Sequence, residues 1–277
     1  MPESPELKTS CDHLRKIICG KTIINSFFSK NGRYSKKIPE NYNSTMQCSV
    51  LDINVKGKFM YWSLSNGQYM FCTYGMTGQW ENKEDKHTCF TLQYVDKFES
   101  IDQAISDFKF LYFNDPRHFG TIKFVNSKQE LLDKLDSLGW DPLSEDISSK
   151  IEWLKNKINK STPIGQILMD QSIFCGVGNY IRAEALYRSR ISPWKKGKEL
   201  TNLELISLCD HIYNVMNESY QAQGASFSTY QNVDGNAGKY SFNFQVYSQK
   251  KDPLGYNIIR EKMGTRTIHW CPEMQRA

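Results

Sequence analysis

The sequence predicts an α+β chain of two domains, and three observations carry that prediction. Its 277 residues exceed one ordinary domain of ~100–200 residues. One amphipathic helix followed by a series of short strand-like runs fills the first half, and helical periodicity takes over in the second. Composition supports a packed core: 39% of residues are hydrophobic and 23% charged, with 15 Phe, 15 Tyr and 6 Trp. This excludes disordered and collagen-like classes. No run approaches the ~20 apolar residues of a membrane span, and Met1-Pro2-Glu3-Ser4-Pro5-Glu6 lacks the basic and apolar regions of a signal peptide. The expectation is a protein without a membrane segment, not secreted by that route.

The elements follow in order. Ser4-Pro5-Glu6 reads as a helix start, with Ser as N-cap, Pro at the first helical position and an acidic first turn. Leu7, Cys11, Leu14 and Ile18 continue at 4-3-4 spacing until Gly20 stops the pattern. Strand-like runs come next at 23–28, 50–55, 59–64, 69–74, 89–94, 108–113 and 121–125, separated by Gly, Asn-Gly and Asp-Pro turn signals. Strands without intervening helices imply a β-sandwich or a barrel. Residues 127–150, with a short helical stretch, a Gly-Trp-Asp-Pro turn and a Ser-rich segment, read as the interdomain connection. Helical patterns follow at 151–159, 163–173, 179–189 and 201–221, and strand-like runs return at 240–247 and 265–270.

Function is bounded first by what is missing. The eight cysteines are thinly spread and form no Cys-x2–4-Cys pair, so they read as reduced intracellular thiols, and a zinc site is not expected. The formal charge of +5 is compatible with nucleic acid, an anionic surface or neither. It is unevenly placed: residues 235–277 hold seven basic and three acidic side chains. Pro2 is small enough to allow removal of the initiator methionine, which would expose a secondary amine. An α-amino group with a pKa near ~8 is about a tenth neutral at pH 7, far more than a lysine, and can attack a sugar C1′ and form an iminium ion. Taken alone, this terminus is also compatible with an ordinary processed end.

It is not alone. Pro2-Glu3-Ser4-Pro5-Glu6, Lys56-Gly57-Lys58, Tyr74-Gly75-Met76-Thr77-Gly78, Asp115-Pro116-Arg117-His118-Phe119-Gly120, Leu138-Gly139-Trp140-Asp141-Pro142-Leu143 and Gly176-Val177-Gly178-Asn179-Tyr180-Ile181 occur in that order, followed by Gln245-Val246-Tyr247 and Gly264-Thr265-Arg266-Thr267. Together they resemble, over the whole chain, the formamidopyrimidine-DNA glycosylase and endonuclease VIII (Fpg/Nei) family. The resemblance implies an N-terminal helix and β-sandwich catalytic domain over 1–126, a connection over 127–150, a helix-two-turn-helix domain over 151–225 and a β-hairpin over 226–277, with a DNA-binding cleft between the domains. Pro2 would be the nucleophile and Schiff-base former, Glu3 the acid/base that opens the deoxyribose, and Glu6 a supporting group. Lys58, in a strand-like context, would bind the phosphate beside the lesion and assist strand cleavage. Met76, Arg117 and Phe119 would fill the gap left by an extruded base. Asn179, Arg266 and His118 would contact phosphates. At His118 bacterial relatives usually carry a more strongly basic residue, so its contact is expected to be weaker or pH-sensitive.

The C-terminus departs from the family pattern. Many members end in a finger with two Cys-x-x-Cys pairs; here the corresponding stretches read Lys251 to Tyr256 and Cys271 to Met274. The Arg266 hairpin pattern remains, which implies a zincless finger of the eukaryotic and viral endonuclease VIII-like type. The resemblance thus implies a cofactor-free, metal-independent DNA glycosylase/AP lyase of base excision repair. It would remove oxidised pyrimidines, hydantoins and ring-opened purines, then cleave the backbone by β,δ-elimination. Its partner would be damaged double-stranded DNA, with single-stranded DNA a second candidate, and the expected state is a monomer in a reducing, DNA-containing compartment: nucleus, cytoplasm or virus-associated. The competing reading is a catalytically silent DNA- or RNA-binding protein of the same fold. The loop from Thr229 to Gly238, where some relatives cap 8-oxoguanine, leaves lesion choice open.

Overall fold

The computed structural model describes residues 2–30, 32–35, 37–96, 107–225 and 240–276. They fall into two compact units, the first within Met1–Pro2, Glu6–Leu135 and Gln223–Gly238, the second within Glu3–Pro5, Asp136–Ala222 and Lys239–Ala277. The loop from Thr229 to Gly238 lies outside the described residues.

In the first unit, helix α1 (Ser4–Ile18) lays its predicted stripe of Leu7, Cys11, Leu14 and Ile18 into the core. The strands are β1 (Thr22–Phe28), β2 (Cys48–Lys56), β3 (Phe59–Leu64), β4 (Tyr69–Thr73), β5 (Gln79–Glu81), β6 (Thr88–Val95), β7 (Lys109–Asn114) and β8 (Thr121–Val125). All pairings are antiparallel, in the order β5-β7-β6-β1-β2-β3-β4-β8. β1 meets β2 at only two residue pairs, and a register shift between Ile23 and Asn25 bends it away. The sheet therefore folds into two facing halves. Trp62 of β3 packs on Trp80 of β5 at 5.2 Å between ring centroids, and Phe90 of β6 faces Phe124 of β8 at 6.1 Å. This is the predicted sandwich, not a closed barrel. The three-residue β5 escaped prediction because it is too short to show alternation.

α2 (Lys128–Asp136) occupies part of the expected connection. The second unit then contains α3 (Ile151–Ile158), α4 (Ile164–Ile167), α5 (Asn179–Arg188) and α6 (Asn202–Gln221). α6 starts at a capping box: Glu204 N donates to the Thr201 hydroxyl at 3.2 Å, and Thr201 N to the Glu204 carboxylate at 2.8 Å. Two expectations need correction. The helix expected over 163–173 is the single turn α4 followed by tight turns that end in Phe174, whose ring meets Trp140 at 6.3 Å. The run at 240–247 is not a strand. It is a 3-10 turn at Tyr240–Asn243 followed by irregular backbone, and its aromatic spacing serves a ring cluster in which Phe244 lies 5.4 Å from Tyr180 and 5.2 Å from Tyr247.

The chain ends in a hairpin of β9 (Ile259–Met263) and β10 (Arg266–Trp270), with Met263 paired to Arg266 across a turn where Gly264 has φ +61°. Among the described residues no group of three or more His, Cys, Asp or Glu is arranged to hold a metal ion. The segment before β9 is held by the buried carboxylate of Asp252, which accepts from Leu254 N at 3.0 Å, Tyr256 N at 2.8 Å and the Tyr187 hydroxyl at 3.0 Å.

Candidate functional site

Chain ends ordinarily fray, yet residues 2–6 here are buried. Within the second unit Glu3, only 2% exposed, sits on the start of α5: its carboxylate accepts from Tyr180 N at 3.0 Å and Ile181 N at 3.4 Å. The first amides of a helix lack intrahelical partners and carry the positive end of its dipole, so a carboxylate is a fitting cap. Gly178 makes the approach possible, because a Cβ there would lie 2.2 Å from Glu3 Cδ. Ser4 N donates to Gly176 O at 3.2 Å. Within the first unit Glu6 is fully buried and accepts from Ala225 N at 2.7 Å.

The turn before α5 is braced by Gln171, which accepts from Gly176 N at 3.0 Å and donates to Val177 O at 2.9 Å. The Gly176 amide is thus committed inside the protein. Asn179, the first residue of α5, donates from Nδ2 to Thr267 O of β10 at 2.9 Å, and its Oδ1 accepts from the guanidinium of Arg182. Arg182 is 1% exposed and also donates to Gly165 O at 3.0 Å; burial pushes its pKa down to about 10, against the pull of Glu3. Arg266 lies at the start of β10, next in sequence to Thr267. Glu184, fully buried on α5, accepts the backbone amides of Gln245, Val246 and Tyr247 at 3.0, 3.0 and 2.8 Å. Burial raises its pKa and the three amides oppose that rise. Those amides find a carboxylate in place of a ladder partner, which is why 245–247 is not a strand.

The first unit positions Met76, Arg117, His118 and Phe119 on two cross-linked loops. Asp115, fully buried, accepts from the Thr77 hydroxyl at 2.5 Å and Gly120 N at 2.6 Å, while Arg117 N donates to Thr77 Oγ1 at 3.2 Å. Gly75 (φ +58°) lets the loops touch: a Cβ there would meet the Phe119 carbonyl carbon at 2.6 Å. From this rigid base Phe119 projects 52% exposed, with the Arg117 guanidinium 5.3 Å from its ring centre. His118 has φ +56°, and its Nδ1 lies 3.3 Å from Cys89 Sγ. Lys58 lies in the two-residue turn between β2 and β3, between the two strand-like runs, where Gly57 supplies φ +56°. Pro2 is buried.

The structure thus places Glu3, Asn179 and Arg266 in one unit and Pro2, Glu6, Lys58 and the loop residues in the other, and it adds groups around them that the sequence did not single out: Asp115, Gln171, Arg182 and Glu184. Arg182 and Glu184 carried a signal, being charged positions in an apolar helix that is buried on all sides from Tyr180 to Tyr187. A cavity of about 390 Å³ in the second unit, lined by Trp140, Pro142, Tyr213 and the carboxylates of Glu145, Asp146 and Asp210, holds none of the predicted residues. Its acidic wall disfavours a phosphate backbone. The cysteines are thiols, not disulfides, and burial raises the pKa values of Cys11, Cys19, Cys48, Cys72, Cys89, Cys209 and Cys271, to about 12 for Cys11 and about 11 for Cys48 and Cys89, so these are poor nucleophiles.

Two family models match the sequence: the formamidopyrimidine-DNA glycosylase N-terminal domain over residues 1–122 and the formamidopyrimidine-DNA glycosylase H2TH domain over residues 138–231. The formamidopyrimidine-DNA glycosylase of Wolbachia sp. subsp. Drosophila simulans (strain wRi) is 30% identical over 280 residues, covering 99% of this chain and 100% of the relative. That of Exiguobacterium sp. is 28% identical over 286 residues, covering both chains fully. The crystal structure of the MutM (Fpg) protein from Thermus thermophilus superposes with a TM-score of 0.84 at 27% identity, covering 99% of this chain and 98% of that one. A Lactococcus lactis Fpg variant complexed with Fapy-dG containing DNA shares the fold at a TM-score of 0.83 and 24% identity over the full length of both chains.

Proposed function

The chain belongs to the formamidopyrimidine-DNA glycosylase family, and we propose that it acts in base excision repair as a bifunctional glycosylase and AP lyase on damaged double-stranded DNA. The observation that carries the reading is the built-in N-terminus: Glu3 seated on the α5 amides and Glu6 on Ala225 N make residues 2–6 a fixed, buried part of the fold. A merely structural terminus would not need two buried carboxylates, each costly to desolvate.

In this reading removal of Met1 exposes the secondary amine of Pro2. The amine attacks C1′ of the extruded nucleotide, the N-glycosidic bond breaks, and its electron pair leaves with the base, which takes up a proton. Glu3 passes a proton to the ring oxygen as the deoxyribose opens, leaving an iminium ion between Pro2 N and C1′. Loss of a C2′ proton expels the 3′ phosphate, and a second elimination expels the 5′ phosphate, assisted by Lys58. Met76, Arg117 and Phe119 fill the vacated stack, a step that offsets an unstacking cost of a few kcal/mol. Asn179 and Arg266 hold phosphates, with His118 a further contact. The name shared by the relatives favours ring-opened purines among the lesions considered. The hairpin is read as zincless, held by Asp252 and aromatic packing, which keeps the endonuclease VIII-like assignment as a proposal. Cysteines kept as thiols suit a reducing, DNA-containing compartment.

Borohydride trapping tests this reading. Mature protein with a duplex carrying an abasic site should give a covalent complex that Pro2→Gly loses or greatly reduces. No complex from the mature wild-type chain would leave the silent-binder reading standing.

A further inference from the structure

A primary amide offers a phosphate either a donor or an acceptor, depending on which way it is turned. The nitrogen end attracts the anion and the oxygen end repels it, and the two orientations have nearly the same shape. On α5 this choice is made by a buried cation. Arg182 donates to Asn179 Oδ1 from Nη2, and the same Nη2 lies 3.4 Å from Thr267 O, the carbonyl that accepts from Asn179 Nδ2 at 2.9 Å. Nη1 donates to Gly165 O at 3.0 Å and approaches Met263 Sδ at 3.9 Å. The guanidinium has no acceptor capacity, so turning the Asn179 amide over would set an N–H against an N–H at Arg182 and an oxygen against the Thr267 carbonyl. Both contacts become repulsive.

We propose that Arg182 is a positioning residue for phosphate recognition: it locks the Asn179 amide with its oxygen on the guanidinium and its Nδ2 on Thr267 O, beside the Tyr247 side chain, so that a DNA phosphate meets the donor end of the amide, and it ties that amide to the hairpin that carries Arg266. The proposal rests on the reading of Asn179 as a phosphate ligand. Arg182 never touches the DNA. It acts by removing the repulsive orientation before DNA arrives, a form of preorganisation. Its burial argues for the role. A cation that is 1% exposed is costly to keep, and its hydrogen bonds go to three segments: Gly165 in α4, Asn179 on α5 and Thr267 on β10.

A double-mutant cycle on binding to a duplex containing a tetrahydrofuran abasic analogue tests this. Asn179→Ala should weaken binding about 10-fold, the scale of one hydrogen bond to a charged group. Arg182→Met should weaken it about as much, and the double variant should be only about 2-fold worse than either single variant, since a freely turning amide has little left to lose. Arg182→Lys, which keeps charge and a donor but not the planar fork, should recover part of the loss. Should Arg182→Met melt below the assay temperature, the cycle is run with Arg182→Lys. Multiplicative losses would overturn the proposal, because a merely structural arginine damages binding independently of Asn179. Full binding by the Arg182 variants alongside weakened Asn179→Ala would also overturn it. Unchanged binding by Asn179→Ala would refute instead the phosphate reading of Asn179.

Discussion

The loop pair at 74–78 and 115–120 and the turn at 176–179 solve the same problem, presenting side chains in a fixed geometry, with one buried charge in the first and several, of both signs, in the second. The loops use close backbone packing around a single buried carboxylate: Asp115 ties Thr77 to Gly120, and Gly75 brings backbone to within contact of Phe119. Their functional side chains project outward. The turn uses buried charge: Glu3 caps α5, Arg182 holds Asn179, and Glu184 gathers three amides of 245–247. The contrast follows from the task proposed for each. Side chains that fill a gap in a base stack need rigid support and an exposed apolar tip, whereas groups that manage protons and phosphates need charges whose orientation is fixed beforehand.

The largest effect that sharpens this contrast is expected from Gly178→Ala. Its Cβ would lie 2.2 Å from Glu3 Cδ, so the carboxylate must leave its amides. Excision in single-turnover assays should fall about 100-fold or more, the scale of a lost general acid/base. Gel-shift binding of the product should suffer less, and equal loss of both would mean that the turn serves binding alone. Asp115→Ala comes next. It orphans the Thr77 hydroxyl and the Gly120 amide, costing about 2–3 kcal/mol in thermal or denaturant unfolding. Excision from duplex should drop about 10-fold while cleavage at a preformed abasic site is largely retained, since there is less stacking to break. The smallest effect concerns pH. His269, buried on β10 near Arg260 and Arg182, has its pKa pushed down to about 4 from 6.5 by burial and those cations. Its neutral form is favoured in the folded chain, so its contribution to stability is full above pH 6.5 and is lost as pH falls toward 4. Melting curves at pH 7 and pH 5 should show the second unit losing stability, and His269→Phe should flatten that dependence. An unchanged slope would show that the charged region is no more pH-sensitive there than the packed one.

Legibility in the sequence divides along the same line. The Leu7, Cys11, Leu14 and Ile18 stripe and the strand boundaries at Phe59–Leu64 and Thr121–Val125 were readable because period and turn chemistry are local. The aromatic run at 240–247 misled because alternation records which side chains are buried, and rings packed around Tyr180 alternate as well as rings on a strand do. Asp115 and Gln171 were passed over because an acid or amide that serves backbone donors looks like any polar loop residue until its partners are known.

Most of the helix and strand inventory, the two-part organisation and, through an ordered set of short motifs, the residues that carry the proposed chemistry were already written in the order of amino acids. What holds those residues emerged only on folding: Glu3 against Tyr180 N, Glu6 against Ala225 N, Asn179 against Thr267 O. The difference is one of range. Periodicity, capping and turn preference act within a few residues and leave their mark in local spacing. Those three bonds join residues 177, 219 and 88 positions apart, where no local energy relates the partners and only the folded backbone brings donor to acceptor.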